Sequence, residues 1–335
     1  VGIFNRRYPS KPKSKFLSVA ALRAAGVWRV AALRPRLEAK VSDASVDPSE
    51  RVAVVAGLAA GGDPKIVPRL ASWAQAGNPA KVRAAALAGW VTYQPQEAAR
   101  ATAVWFQGEV DPAVVAGLAS AFLRQRDALG ALTLALQAQP PSPGVARAFS
   151  EQLARSGRHD PSLHAVLQVA AGSSPRTKPW SPSDIPSVLT AVREKGDPSR
   201  GAQLFQAPRL ACVTCHSVDG TPGRIGPELG ALGTAQTTEF IVGALLDPQR
   251  EVKEGFMAHE LVTKDGTTYQ GYLRGETPDA LTLLDHLSGQ TVALPRGTVA
   301  EQRQLGSLMP AGLLDGLTLE EVRDLVAYLA GLGRK

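Results

Sequence analysis

Four prolines punctuate the first half of this chain at a near-constant interval: Pro48, Pro79, Pro112 and Pro143 stand 31, 33 and 31 residues apart. Each opens an alanine-rich amphipathic stretch, in turn PSERVAVVAGLAA, PAKVRAAALAGW, PAVVAGLASAFL and PGVARAFSEQLA. Proline suits the first turn of a helix, where its missing N–H would have had no partner anyway. Asp47, Asn78 and Asp111, just before three of these prolines, are good N-caps. A second helical stretch follows each of the first three: KIVPRLASWAQ, EAARATAVWFQ and ALGALTLALQ. A further one is expected over Leu22–Ala39, and His164–Ala171 closes the series. One such helix pair cannot bury its apolar face alone. A recurring pair does so by stacking on its neighbours, which is the mark of an α-solenoid.

The first-helix pattern resembles HEAT repeats, most clearly at Pro79-Ala80-Lys81-Val82-Arg83-Ala84-Ala85-Ala86. On that resemblance residues 17–171 form about five helix pairs, a scaffold or docking surface; alanine-rich helices of this kind also build ordinary bundles. Leu58, Leu87, Leu118, Trp73 and Trp105 are expected to fill the core, and no catalytic constellation is recognisable among them. Residues 1–16 read as a basic, extended lead-in. Residues 172–186 (GSSPRTKPWSPSDIP), rich in Ser, Pro and Gly, read as a linker to a second domain over 187–335.

That second domain contains the only two cysteines of the chain, in Cys212-Val213-Thr214-Cys215-His216. The order C-x-x-C-H is the signature of covalent haem attachment, in which two thiols add across the vinyl groups and the histidine binds the iron. Three other uses of the cysteines compete. A structural zinc site needs four ligands, usually two separated pairs; His159 and His164 lie upstream in the helical half. A thioredoxin-like redox pair wants a βαβ context, whereas Gly/Pro-rich sequence follows here. A plain disulfide leaves His216 without a role.

The flanks favour haem. Asp197 caps and Pro198 opens a short helix that ends at Phe205, seven residues before Cys212. A helix immediately before C-x-x-C-H, with an aromatic near its end, resembles a class I cytochrome c. That resemblance implies a proximal role for Pro227, ten residues into the loop after Ser217, its carbonyl accepting the Nδ1–H of His216. It also implies a distal methionine in the loop before the last helix. Met309 holds that position, followed by a Thr318/Glu321 capping box and the stripe Val322, Leu325, Val326, Leu329.

Met309 lies 93 residues after His216, and the intervening sequence accounts for the distance. From about 258 to 303 apolar and polar residues alternate between turn signals at Asp265-Gly266, Thr277-Pro278-Asp279 and Ser288-Gly289, so a small antiparallel sheet or barrel is inserted there. Other sixth-ligand candidates are Met257, the only other methionine, His259 and His286, or the distal position is vacant. The expected fold is therefore mainly α: a HEAT-like α-solenoid, then a class I cytochrome c domain with a small antiparallel β insert.

The net charge of +7 sits at one end, since residues 1–40 carry +9 and the rest of the chain sums to −2. A basic segment suits nucleic acid, anionic lipid or an acidic protein face. Covalent haem is attached outside the cytoplasm, which argues against nucleic acid and for a periplasmic or other extracytoplasmic location. A solvated surface beside an acidic neighbour fits the charge equally well. No run of 18 or more apolar residues exists, so no transmembrane span is expected, although peripheral membrane association through partners is compatible with the charge. The chain starts at Val1 with no signal-peptide pattern, so a processed or partial chain is expected.

From Gly196 to the end the sequence is similar to the haem-binding domain at the C-terminus of Planctomycetes/Verrucomicrobia-type membrane-bound dehydrogenase-like proteins. CVTCHSVDG, IGPELG, LLDPQREV, VTKDGTTYQGYL and SLMPAGLLDGLTLEEVRDLVAYL carry the similarity. In that family a HEAT-like region often precedes the cytochrome domain, and NRRYPS near the start resembles the lead into it. A β-propeller dehydrogenase domain is frequent further upstream; none is present here, so no substrate chemistry transfers. The resemblance implies one covalent haem c on Cys212 and Cys215, with His216 and Met309 as iron ligands. The expected role is electron transfer to or from a dehydrogenase or another cytochrome within a larger complex, and not catalysis by this chain. The alternatives are a structural or docking subunit, and a haem enzyme or gas sensor with an open distal site.

Overall fold

A computed structural model describes residues 15–29, 32–156, 160–172, 179–207, 209–210, 212–221 and 225–334. The lead-in over 1–14, His159 and linker residues 173–178 lie outside the described residues. What is described is mainly helical, sixteen α-helices with one five-stranded antiparallel sheet. The chain divides into two compact units, one up to Thr102 and one from Ala103, with the division inside a helix.

The first unit holds α1 (Lys15–Val27), α2 (Arg34–Ser42), α3 (Pro48–Ala60), α4 (Val67–Trp73), α5 (Ala80–Tyr93) and the start of α6 (Pro95–Phe106). The first helices of successive pairs stack, α1 on α3 and α3 on α5. Asp47 caps α3 by accepting from the Ser49 N–H. Two expectations fail here. The stretch 22–39 is two helices and not one, broken between Val27 and Arg34, where Arg29 takes a positive φ and Pro35 starts a new first turn. Asn78 does not cap α5: Pro79 occupies that position without a side-chain bond, and the Asn78 side-chain oxygen Oδ1 instead accepts from the buried Arg51 guanidinium at 3.0 Å. Arg51 also donates to the Val41 carbonyl at 2.7 Å. The unmet demand of a buried cation thus outweighs a cap worth about 1 kcal/mol.

In the second unit α7 (Pro112–Arg124) stacks on α9 (Pro143–Arg155), and α8 (Ala128–Ala138) meets α10 (Pro161–Ala170). Phe106 packs edge-on against Phe149 at 6.4 Å, while the expected core residue Trp105 stays half-exposed beside it. In the 100° step from 105 to 106 the helix turns Phe106, and not Trp105, into the interior. Leu58, Leu87, Leu118 and Trp73 are buried.

After α11 (Ile185–Lys195) come α12 (Pro198–Gln206), the single turn α13 (Cys212–Cys215), α14 (Leu232–Ala235) and α15 (Thr238–Leu246), then the sheet and finally α16 (Leu319–Gly331). The strands β1 (Ala258–Thr263), β2 (Thr268–Glu276), β3 (Ala280–Asp285), β4 (Gln290–Pro295) and β5 (Val299–Gly306) lie in the order β4-β3-β2-β1-β5. It is an open sheet with β4 and β5 at its edges, not a barrel, and the insert runs three residues past the expected end. The turns at Asp265-Gly266 and Ser288-Gly289 close their hairpins with both glycines at positive φ. The end of α7 grips this sheet. Arg124 forms a two-pronged pair with the fully buried Asp285, Gln125 bridges Thr267, and Arg126 pairs with Glu301 at 2.6 Å through both nitrogens.

The helix before the C-x-x-C-H motif and the last helix cross each other at Gly201. A Cβ there would stand 2.6 Å from that of Tyr328 and closer still to the Asp324 carbonyl oxygen, so only glycine permits the approach. Phe205 and Tyr328 stack obliquely at 5.6 Å just beyond, and the buried Asp324 carboxylate accepts from the Asp197 N–H at 3.0 Å. Gly201→Ala is expected to lower the stability of the chain by roughly 1–3 kcal/mol, as overpacking of a tight contact does. Urea unfolding of the two proteins with an unchanged slope checks it.

Candidate haem-attachment site

The motif folds as one helical turn, the His216 N–H donating to the Cys212 carbonyl at 2.9 Å. This brings both thiols and the imidazole to one short surface. The following loop is pinned back on it. Ile225 and Gly226 donate to the Cys215 carbonyl at 3.3 and 2.9 Å, and Leu229 donates to the Ser217 carbonyl at 2.8 Å. Glu228 ties the excursion between these segments, its carboxylate accepting from Gly230 at 2.6 Å and Gly220 at 3.3 Å.

This pairing lays the chain directly on the imidazole. A Cβ on Gly226 would stand 2.7 Å from His216 Nδ1 and 2.9 Å from Nε2, nearer still to Cε1. Nδ1 lies 2.7 Å from the Pro227 carbonyl oxygen. A carbonyl can only accept, so Nδ1 carries the proton and donates. That leaves the unprotonated Nε2 as the nitrogen available to a metal. Burial lowers the pKa of His216, against the opposing pull of the Pro227 bond, so the ring is held neutral.

The two thiols belong to different apolar clusters. Cys212 packs against the helical core built from Phe205, Leu210, Leu325 and Leu329, and Cys215 against a cluster of Ile225, Ala258, Tyr272 and Leu308 with Phe256 beside it. Burial pushes the Cys212 thiol up to about 12. Reactive and metal-binding cysteines are shifted the other way, towards the thiolate. Among the described residues no group of three or more His, Cys, Asp or Glu converges to hold an ion. The chemistry of this turn is that of a Cys212 thiol that burial keeps protonated and a neutral imidazole, with Cys215 in the same turn, in an apolar setting.

Met309 is half-buried, and its neighbour Leu308 packs into the Cys215 cluster. The loop holding it is fastened at both ends. Gln249 exchanges two hydrogen bonds with Ser307, at 2.9 and 3.0 Å, and Trp180 donates to Asp315 at 3.0 Å and to Leu317 at 3.3 Å. Trp180, in the expected linker, thus holds the far end of the Met309 loop. Met257 is half-buried just before β1. His259 pairs with Gly271 while Ala258 pairs with Tyr272, so its side chain projects from the face opposite the Cys215 cluster. His286 is 7 % exposed, with Nδ1 2.8 Å from the Gln270 carbonyl.

Tyr272, Phe256, Ile225 and Gly226 were not singled out by sequence reasoning. The alternation of TTYQGYLR offers two tyrosines on opposite faces, and only the register with Ala258 tells which one meets Cys215. No protein-family model matches the chain, and no curated protein matches it either.

Proposed function

We propose that this chain is an extracytoplasmic c-type cytochrome of the dehydrogenase-associated kind it resembles: HEAT-like repeats as scaffold, then a class I cytochrome c domain with a β insert. It carries one haem c on Cys212 and Cys215, with His216 and Met309 as iron ligands, and passes single electrons to or from a dehydrogenase or another cytochrome. The observation that carries the reading is the seating of His216, its ring laid on Gly226 and its Nδ1 committed to the Pro227 carbonyl.

The residues of the chain fit such a group. Bound haem supplies a one-electron iron couple, at a higher potential with a thioether ligand than with a second imidazole. His216 needs no proton shift to act as ligand, since burial keeps it neutral and Pro227 fixes the tautomer. The Pro227 carbonyl also makes the imidazole a stronger donor. Cys212 and Cys215 stand in one helical turn, which sets their spacing, and burial keeps the Cys212 thiol protonated. Ile225, Tyr272, Phe256 and Leu308 form an apolar wall beside Cys215, which excludes water and lowers the local dielectric. The stacking of α1 on α3 and α3 on α5, and of α7 on α9, supports the repeat reading of the helical half.

The test is a spectrum of the chain matured in an extracytoplasmic compartment. The haem is expected to survive acid–acetone extraction, and the ferric protein to show the weak far-red band of methionine ligation. That band is expected to vanish in Met309→Ala and to persist in Met257→Ala. A wild-type protein that lacks the band and binds CO at once overturns the electron-carrier reading.

A further inference from the structure

Trp180 stands in the stretch that joins the helical half to the C-x-x-C-H domain, yet it is 9 % exposed and belongs to that domain's apolar core with Leu314 and Leu317. Both of its N–H groups are committed to one short segment. The backbone N–H donates to the Asp315 carboxylate at 3.0 Å, and the indole Nε1–H to the Leu317 carbonyl at 3.3 Å. A side chain of α10 reaches the same place. A Cβ on Gly316 would stand 3.2 Å from Nε2 of Gln168, whose amide is itself fixed by donating to His164 Nε2 at 2.8 Å. Residues 315–317 are thus held from the linker and lie against the last helix of the repeats. From there back towards Met309 the described bonds are local turns, Leu317 N–H to the Leu314 carbonyl at 2.8 Å and Asp315 N–H to the Gly312 carbonyl at 3.0 Å. Such turns shape the loop without fastening it to the body of the domain. The near end is secured separately, by Gln249 on Ser307 and by the Met309 N–H on Ser307 Oγ at 3.1 Å.

We infer that Trp180 is a positioning residue for Met309, so that the hold of the sixth ligand is set from the linker and α10. This rests on the haem reading above. A loop fastened at both ends has little freedom left to lose when its sulfur binds. Release of the far end restores that freedom, which must be given up again for ligation, while Gln249 keeps the near end in place. Ligation then weakens without the domain coming apart. A partner that shifts the linker on docking therefore acts on the sixth ligand, and through it on the potential, from a distance. Trp180 itself touches no reacting atom.

The test titrates imidazole, a competitor for the sixth position of ferric haem, into wild type, Trp180→Phe, Asp315→Ala and Ser181→Ala as full chains with haem. Trp180→Phe keeps an aromatic ring in the core and removes the Nε1–H, and Asp315→Ala removes the acceptor of the backbone N–H. Ser181→Ala weakens the same linker turn, through the bond of its hydroxyl to Asp184 at 3.0 Å, but Ser181 makes no bond to the loop among the described residues. Trp180→Phe and Asp315→Ala are expected to retain the haem content and the far-red methionine band of the wild type. Their apparent affinity for imidazole is expected to rise about three- to tenfold, the scale of one buried hydrogen bond, and that of Ser181→Ala to stay at the wild-type value. Wild-type affinity in both loop variants at full haem content overturns the proposal. An equal rise in Ser181→Ala also overturns it, since general loosening of the linker then accounts for the effect. A wild-type chain without covalent haem, or without the methionine band, fails before any imidazole is added and removes the haem reading itself.

Discussion

On the haem reading proposed above, Gly226→Ala is expected to strip the chain of most of its covalent haem. The new methyl group would stand 2.7 Å from Nδ1 and 2.9 Å from Nε2 of His216, well inside van der Waals contact. The obstacle is an aromatic ring that cannot bend aside without leaving the Pro227 carbonyl. The backbone cannot retreat either, because the Gly226 N–H is bonded to the Cys215 carbonyl at 2.9 Å. The imidazole must therefore swing out, losing both its orientation and its fixed tautomer. Loss of one outer partner of a ligating histidine costs roughly ten- to a hundredfold in affinity or activity, and here ring and partner are displaced together. Haem per chain, measured as the pyridine haemochrome, is expected to fall by about tenfold or more on that scale. Pro227→Ala serves as the control. The acceptor is a main-chain carbonyl that the substitution leaves in place, so most of the haem is expected to remain. Equal loss in the two variants would mean that the loop, and not the clash with the ring, controls attachment.

Arg124→Ala is expected to cost about 3 kcal/mol of stability, the scale for leaving one partner of a buried ion pair uncompensated. Asp285 is fully buried and accepts two bonds from Arg124, together with the Ser288 N–H at 2.9 Å. Burial pushes the Asp285 carboxyl up, but the bonds from Arg124 and Ser288 outweigh it and hold the group below the usual carboxylate range. A depressed folded-state pKa gives stability that is present above the unfolded value of about 3.9 and is lost as the pH falls through the folded one. The wild type is therefore expected to lose stability over that acidic range, and Arg124→Ala to lose less of it there, having already forfeited the pair. Urea midpoints between pH 3 and 7 check both, with Arg126→Ala, an exposed pair worth about 0.2–1 kcal/mol, as the surface comparison. Parallel pH profiles for wild type and Arg124→Ala would show that Asp285 is not the group responsible.

Local chemistry was legible in the sequence where a residue acts on its own neighbours. Asp47, Asp111 and Asp197 cap the helices expected of them, Thr318 and Glu321 form their capping box, and Asp265-Gly266 turns its hairpin. It failed where a distant group outbids a neighbour, as buried Arg51 does for Asn78. Amphipathic phase was legible in Val322, Leu325, Val326 and Leu329, all buried. It was ambiguous between adjacent aromatics, so that Trp105 was chosen and Phe106 fills the core. Within the site, the adjacency of Cys212, Cys215 and His216 needs only a single turn and could be read directly. The hold of Trp180 on the Met309 loop, 135 residues away, could not, nor could the grip of Arg124 on Asp285 across 161 residues. No periodicity records such pairings.

The crossing of α12 and α16 also sets an order in time. Its bond from Asp197 to Asp324 joins positions 127 residues apart, whereas the hairpins of the sheet close over a few residues, in about 1–10 μs. Distant pairings are the slow ones, because the intervening loop must close before they form. While the last helix is still unmade or undocked, the apolar core against which Cys212 packs lacks the members that helix supplies, Leu325 and Leu329 among them. The burial that pushes the Cys212 thiol up to about 12 is a property of the folded chain. On the proposed haem reading, Cys212 is therefore more open to attachment before the last helix docks than after it.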